Sequence, residues 1–337
     1  MKLHRFVFVY MLALYPIFAS AQQCGTYTGP MLIDGFGPPD KSFVQEPEPI
    51  LPADATALSL TITAPANKAI VGTRTVQVYG TYAGPPATGV AVNKSAAMQT
   101  ANAFVGLVTL EPGANTITIK ATTLTGEVIT QTRTVTYDAA QLPDVYLETR
   151  IQGEHAPIKT SYTLKVKAGL TVTRLQMDYD GDSSFELDTT NGATALSYEY
   201  KLPGFLSASA TVTLDDGDPN TPPVVRVTTR RMAIVPLPLT RKTLCYVFYR
   251  MKDRLIANDI PDALMSINAE IRAKAQARFS GFSNLSTVAP RFGVVVDGNL
   301  GIRLAELTVL QDTNRGQRGK SLTFERASDG VWRITSL

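Results

Sequence analysis

From Leu58 onward the chain alternates apolar and polar positions: Leu58, Leu60 and Ile62 are interleaved with Ser59, Thr61 and Thr63. The same period of two returns at Val76 and Val78, at Val90 and Val92, from Phe104 to Leu110, from Ile117 to Ala121, and from Val128 to Tyr137. Each run predicts a half-buried strand, because successive side chains on a pleated backbone point to opposite faces. Turn formers separate the runs, among them Pro65-Ala66-Asn67, Gly84-Pro85-Pro86 and Pro112-Gly113-Ala114-Asn115. Six or seven short strands at these intervals predict an antiparallel sandwich over residues 56–138.

A second β segment, residues 139–236, is marked by Val145, Leu147 and Ile151, then Tyr162, Leu164 and Val166, then Val172, Leu175 and Met177. Tyr198 and Tyr200 follow, and Ala208, Ala210, Val212 and Leu214 close the set. The pattern changes after Pro236 and Pro238. Leu244, Val247, Phe248, Met251 and Leu255 recur at the spacing of one buried helical stripe, with Thr240 as the expected N-terminal cap. Asn258 closes that helix, Asp259 caps the next, and Pro261 is tolerated in its first turn. Leu264, Ile267, Ile271, Ala275 and Phe279 continue a second stripe, so a helical hairpin is predicted. Strands are expected around Val294 to Val296, Ile302 to Leu310, Leu322 to Glu325 and Val331 to Ile334. Residues 237–337 therefore read as an α+β unit.

Residues 22–55 are a Pro/Gly-rich linker, because Gly37-Pro38-Pro39 and Glu46-Pro47-Glu48-Pro49 remove backbone donors that a sheet or helix would need. Before them stand Lys2 and Arg5, an apolar run from Phe6 to Phe18, and the small-x-small site Ala19-Ser20-Ala21. This is the order of a secretory signal, residues 1–21, cleaved near Ala21. The run falls short of the about 20 residues that a bilayer requires, so no stable membrane insertion is expected. The expected location is secreted, periplasmic or cell surface. Cys24 and Cys245 are the two cysteines, and in an oxidising compartment they form a candidate disulfide.

At 337 residues, with 44% apolar and 18% charged positions, the chain is folded material long enough for two or three cores. Charge is unevenly placed: residues 138–237 carry nine Lys/Arg against thirteen Asp/Glu, and residues 240–337 carry fifteen against nine. No helix concentrates those cations with base-stacking aromatics, so nucleic acid is not an expected partner. His4 leaves with the leader, which makes His155 the one histidine of residues 22–337. A nucleophilic triad or a His/Cys metal site would have to use that single residue.

Carboxylates crowd in Asp178-Tyr179-Asp180-Gly181-Asp182-Ser183-Ser184-Phe185-Glu186, with Asp188 just beyond. Two readings stand side by side. Asp178, Asp180, Asp182 and Glu186 could hold Ca2+, a hard cation that takes six to eight oxygen ligands, or the stretch is a structural turn solvated at one end of a sandwich. The spacing is not that of an EF-hand, because the glycine comes too early. Asp215, Asp216 and Asp218 form a second acidic turn.

Three resemblances follow. The course Val76-x-Val78-x-Gly80, Val90-x-Val92-Asn93, Val108-x-Leu110-x-Pro112-Gly113-x-Asn115 resembles the bacterial immunoglobulin-like domains of the glucodextranase domain-B type, which implies a spacer or adhesive module. Asp178-x-Asp180-Gly181-Asp182, Pro203-Gly204 and Ala210-Thr211-Val212-Thr213-Leu214-Asp215-Asp216-Gly217 are similar to polycystic-kidney-disease-type (PKD-like) sandwiches, in which the acidic loop ends a strand. Ser183 departs from that pattern, standing where a second glycine is often found, which implies a looser turn. The ending Phe324-Glu325-Arg326 with Asp329-Gly330-x-Trp332-Arg333-Ile334 resembles nuclear-transport-factor-2-like, cystatin-like domains, whose cavity serves binding or catalysis. The expected fold is mostly β: two tandem immunoglobulin-like sandwiches and a C-terminal α+β (cystatin-like) domain, arranged as a rod with a separate globular cap. The expected function is non-catalytic binding of a protein or glycan at the cell envelope. The alternatives are a polysaccharide-directed enzyme or accessory with a pocket in the last domain, marked by converging carboxylates, and an accessory to a larger secreted surface or toxin protein.

Overall fold

The computed structural model describes residues 56–151, 155–313 and 316–336. The leader, the linker and Cys24 lie outside the described residues. The first nine strands are β1 (Ser59–Ala64), β2 (Ala69–Val71), β3 (Thr75–Ala83), β4 (Gly89–Val92), β5 (Ser95–Ala96), β6 (Met98–Gln99), β7 (Ala103–Thr109), β8 (Gly113–Thr122) and β9 (Val128–Tyr137). They form two sheets, ordered β1-β3-β7-β6 and β2-β9-β8-β4-β5. The alternation seen along β1 places Leu60 and Ile62 inside and Ser59 and Thr61 outside. Val78, Phe104, Leu110, Ile117 and Val135 fill the space between the sheets. One pairing departs from the expected antiparallel pattern: β2 runs parallel to β9, with Ala69 opposite Val135.

The next seven strands are β10 (Val145–Ile151), β11 (Ile158–Val166), β12 (Thr171–Asp178), β13 (Leu187–Thr189), β14 (Leu196–Tyr200), β15 (Gly204–Asp215) and β16 (Val224–Ile234). They also build two sheets, β10-β11-β14 and β13-β12-β15-β16. Leu175, Met177, Ala208, Ala210 and Val212 are fully buried between them, as the period of two requires. The molecule is therefore mostly β, with two pairs of sheets followed by a helical segment and further strands.

That segment opens with α1 (Leu237–Ile256), then α2 (Ile260–Ala263), α3 (Ala269–Ser280) and α4 (Leu285–Val288). The first helix starts earlier than expected. Pro238 sits in its first turn, where no N–H is needed, and Pro236 O accepts from the N–H groups of Leu239 and Thr240. Thr240 is thus a buried residue within the helix rather than its cap. Asn258 closes α1 with φ 58°, and Asp259 caps α2 by accepting from the Asp262 N–H, both as expected. The second long helix is not continuous. Ile267 is extended at φ −102° and ψ 139°, fully buried, and bridged to Ile334, so the chain leaves the helix there and re-enters it under an Asn268 cap.

The last strands, β17 (Val294–Leu300), β18 (Leu304–Thr313), β19 (Gly316–Arg326) and β20 (Trp332–Ile334), form an antiparallel meander in sequence order. α1 lies against it through Tyr249, whose hydroxyl accepts from the Val295 N–H at 3.0 Å, and through buried Lys252, whose ammonium donates to Gly293 O at 3.1 Å. Trp332 is buried, 7% exposed. Cys245 is buried in α1, and Cys24, its candidate disulfide partner, lies outside the described residues. Among the described residues no helix is long and apolar enough to cross a membrane.

The three units touch one another through a few specific contacts. Each segment keeps its own hydrophobic cluster, yet Leu124 and Ala87 of the first sandwich pack with the C-terminal cluster. Gly89 and Gly330 meet there: a Cβ on Gly89 would lie 2.3 Å from the Gly330 carbonyl carbon, and one on Gly330 2.6 Å from Val90 O. Arg326, 6% exposed, reaches from β19 to Ala97 O and to Gln99 Oε1. On its other side the first sandwich meets the second. The Gln77 side chain exchanges both hydrogen bonds with the Arg231 backbone, at 2.7 and 2.9 Å, and Tyr79 packs on Phe205 with ring centroids 6.3 Å apart.

Candidate functional site

The acidic stretch joins β12 to β13, and its own carboxylates fold it. Asp178 ends β12 with its side chain turned into the loop, where Oδ1 accepts from the Gly181 N–H at 2.6 Å and Oδ2 from the Ser183 N–H at 3.0 Å. Asp180 Oδ1 accepts from Asp182 N–H at 3.3 Å, Asp182 Oδ1 from Ser184 N–H at 2.7 Å, and Glu186 Oε2 from Tyr179 N–H at 2.7 Å. Short acidic side chains thus supply the acceptors that a neighbouring strand would otherwise provide. Gly181 takes φ 83° and Ser183 takes φ 75°, so the serine holds a left-handed conformation that favours glycine. The bond from Asp178 keeps it there, and the turn is tight rather than loose.

All four sequence-predicted ligands converge. One oxygen from each of Asp178, Asp180, Asp182 and Glu186 lies within 4.8 Å of the others, with Asp178 buried, Asp180 half-buried, and Asp182 and Glu186 exposed. Such a set of hard oxygen donors suits a divalent cation of the calcium kind better than a transition metal.

A cluster of tyrosines underlies the loop. Tyr179 and Tyr198 stack with centroids 4.9 Å apart and planes 9° from parallel, and Tyr198 meets Tyr200 edge-on at 4.8 Å. The Tyr200 hydroxyl donates to Tyr179 O at 2.6 Å, which leaves the Tyr162 hydroxyl to donate to Tyr200. Burial pushes the Tyr162 and Tyr200 phenols well above the usual tyrosine range, and at Tyr162 the neighbouring Tyr200 adds to it. Tyr198 is raised as well, by loss of water and then by the charges of Asp180 and Glu186.

Asp188 points elsewhere: it takes a two-pronged ion pair from Arg174 at 3.0 and 2.6 Å, which together with Gln176 lowers its pKa. The second acidic turn is distant. Asp215 pairs with Thr171 and Ser209 with Asp178, so the two turns lie at opposite ends of β12, about 23 Å apart at the rise of an extended strand. His155 is tied to the backbone of Val235, with Nδ1 3.0 Å from its carbonyl oxygen.

A second concavity lies in the last unit, where a pocket was the alternative expectation, but sequence reasoning did not identify its lining. A cavity of about 220 Å3 opens between α1, α3, the Ala289–Phe292 turn and strands β18 and β19. Phe248, Phe279, Val309 and Leu322 form its buried floor, and Phe292 faces Phe279 at 6.2 Å. Arg278, Arg291 and Lys320, all exposed, stand at its mouth. The excess of cations after residue 240 gave no hint that three of them converge there. The carboxylates expected of a polysaccharide-cleaving pocket are not among the described residues lining it.

With this geometry in place, the class of module can be stated. The family described as glucodextranase, domain B, matches residues 59–139, the span of β1 to β9. The chain thus contains an immunoglobulin-like domain. Among solved structures it is similar to the fibronectin(III)-like modules of Clostridium thermocellum CbhA, at 14% identity and TM-score 0.20, over 52% of this chain and 94% of that one. It is also similar to the BSP domain of a biofilm associated protein, at 13% identity and TM-score 0.22, over 50% of this chain and 29% of that one. A tetra-tandem repeat from the extending region of a large adhesion protein is similar at 20% identity and TM-score 0.19, over 53% of this chain and 50% of that one. No curated protein matches the chain.

Proposed function

We propose that the protein is an exported, non-catalytic interaction protein of the cell envelope or surface, whose second, PKD-like sandwich presents a calcium-stabilised tip to a protein or glycan partner. The observation that carries this reading is the convergence of Asp178, Asp180, Asp182 and Glu186 within 4.8 Å on a loop that also exposes Phe185. The leader-like start and the glucodextranase domain-B match agree with a module displayed outside the cytoplasm. A cation at the loop would relieve carboxylate repulsion and lock Phe185 and the tyrosine stack beneath it.

The test is calorimetry and thermal melting of the mature chain with CaCl2 against chelator, followed by binding of the labelled chain to envelope fractions under both conditions. Calcium is expected to raise Tm in the native chain and to leave the Asp180→Asn/Asp182→Asn variant unmoved, with envelope binding lost in chelator. Equal melting and equal envelope binding with and without calcium would remove this reading. A polysaccharide-cleaving pocket in the last unit is the weaker alternative, because the cavity there is ringed by Arg278, Arg291 and Lys320.

A further inference from the structure

The cavity of the C-terminal unit joins a dry floor to a cationic mouth. Phe248 and Phe279 are 2% and 1% exposed, and Val309 and Leu322 3% and 4%, so a guest would meet aromatic and aliphatic carbon on several sides. Strand register explains why charge stands beside this floor. Val309 pairs with Lys320 and Leu307 with Leu322, so Lys320 shares the helix-facing side of β19 with Leu322 and Phe324. Arg291 comes from the opposite wall, on the turn Ala289–Phe292. Among the described residues that line the cavity none is a carboxylate. Lys320, though exposed, has its pKa lowered, first by partial loss of water and then by the positive charge of Arg278. Lys320 and Arg291 bring two cations to the edge of an apolar hollow, where a bound anion would find charge-assisted contacts.

Volume narrows the guest. A dry cavity of about 150 Å3 accepts benzene, and pockets for drug-sized molecules begin near 300 Å3. At about 220 Å3 this one has room for a single ring, or a short alkyl chain, with one small polar group.

We propose that this cavity binds a small amphipathic monocarboxylate, its aryl or alkyl body on Phe248, Phe279 and Leu322 and its carboxylate between Lys320 and Arg291. This site is independent of the acidic loop in the second sandwich, so either can fail without the other.

The experiment is isothermal titration of the full mature chain with cinnamate and with octanoate, each beside its neutral amide, and with inorganic phosphate. The expected result is saturable binding of at least one carboxylate, with its amide weaker by about tenfold or more, the loss of one charge-assisted contact. The better of the two carboxylates tells an aryl from an alkyl guest. Lys320→Met and Arg291→Gln are each expected to weaken that carboxylate by about tenfold without moving Tm, because both residues are exposed. The Asp180→Asn/Asp182→Asn variant should bind it unchanged. Amide binding equal to carboxylate, indifference to Lys320→Met and Arg291→Gln, phosphate binding as tight as the carboxylates, or no heat from either carboxylate at millimolar concentration would each overturn the proposal.

Discussion

Ser183 carries the tightest link between one residue and the proposed site. Its φ of 75° is costly for any side chain with a Cβ, by about 1 kcal/mol, and the Asp178 carboxylate compensates by accepting its N–H. Ser183→Gly should therefore raise stability by about 0.5 kcal/mol, the relief being partly offset by the greater freedom of glycine in the unfolded chain. Gly181 predicts the opposite sign. At φ 83°, with a Cβ that would stand 3.0 Å from Ser207 O, Gly181→Ala should cost about 1–2 kcal/mol. Urea unfolding of the two variants checks both, and a shared sign would show that the loop conformation differs from the one described. Tyr200 supplies the second residue-level test. Tyr200→Phe removes the donor to Tyr179 O and strands a buried carbonyl, at about 1–3 kcal/mol, and should also weaken calcium binding by loosening the backbone between Asp178 and Asp180.

At the scale of elements, the tyrosine-floored sandwich should have a marked alkaline limit. Tyr162 and Tyr200 hold their protons in the folded state beyond the value near pH 10 at which the unfolded chain releases them. The folded state then binds more protons than the unfolded one, so stability is unaffected below about pH 10 and falls as pH rises past it. Denaturant midpoints measured from pH 8 upward should stay level and then drop, and Tyr162→Phe should flatten the drop while lowering the neutral-pH plateau by about 1 kcal/mol. A drop of unchanged steepness in Tyr162→Phe would assign the alkaline limit to other groups. The strands beneath this cluster were legible because Leu175, Met177, Ala210 and Val212 alternate cleanly with polar neighbours, and the four carboxylates were legible because they lie on one short loop. The break at Ile267 was not. A fully buried isoleucine suits a helix stripe as well as an extended bridge, and the choice is made by Ile334, far away in sequence. The lining of the cavity was hidden for the same reason: Phe248, Arg291 and Lys320 come from three elements, and no local pattern records that they converge.

At the scale of the whole molecule, the first sandwich docks on both of its neighbours by different means. Toward the second sandwich, the Gln77 amide imitates a strand by bonding to both backbone groups of Arg231, and the Arg231 guanidinium lies 5.7 Å over the Tyr79 ring. Toward the C-terminal unit, contact depends on two missing side chains, because backbone meets backbone where Gly89 faces Gly330. The second junction is the more fragile, since a single methyl group cannot be accommodated 2.3 Å from a carbonyl carbon without separating the two surfaces. Gly89→Ala should therefore undock the first sandwich from β19 and β20 while leaving the hydrophobic cluster of each unit intact. Small-angle scattering should then show a larger radius of gyration with little change in circular dichroism. Arg326→Met, which removes the bonds to Ala97 and Gln99 without adding bulk beside Gly89, should shift the radius in the same direction by less. An unchanged radius in both variants would mean that the units are held by something other than this contact. The docking also bears on binding, because Val331 and Trp332 follow Gly330 directly into the cluster that includes Phe248, Phe279 and Leu322 of the cavity floor. A first sandwich that releases Gly330 should loosen that floor, so Gly89→Ala is expected to weaken the carboxylate site several-fold without touching any residue that lines it.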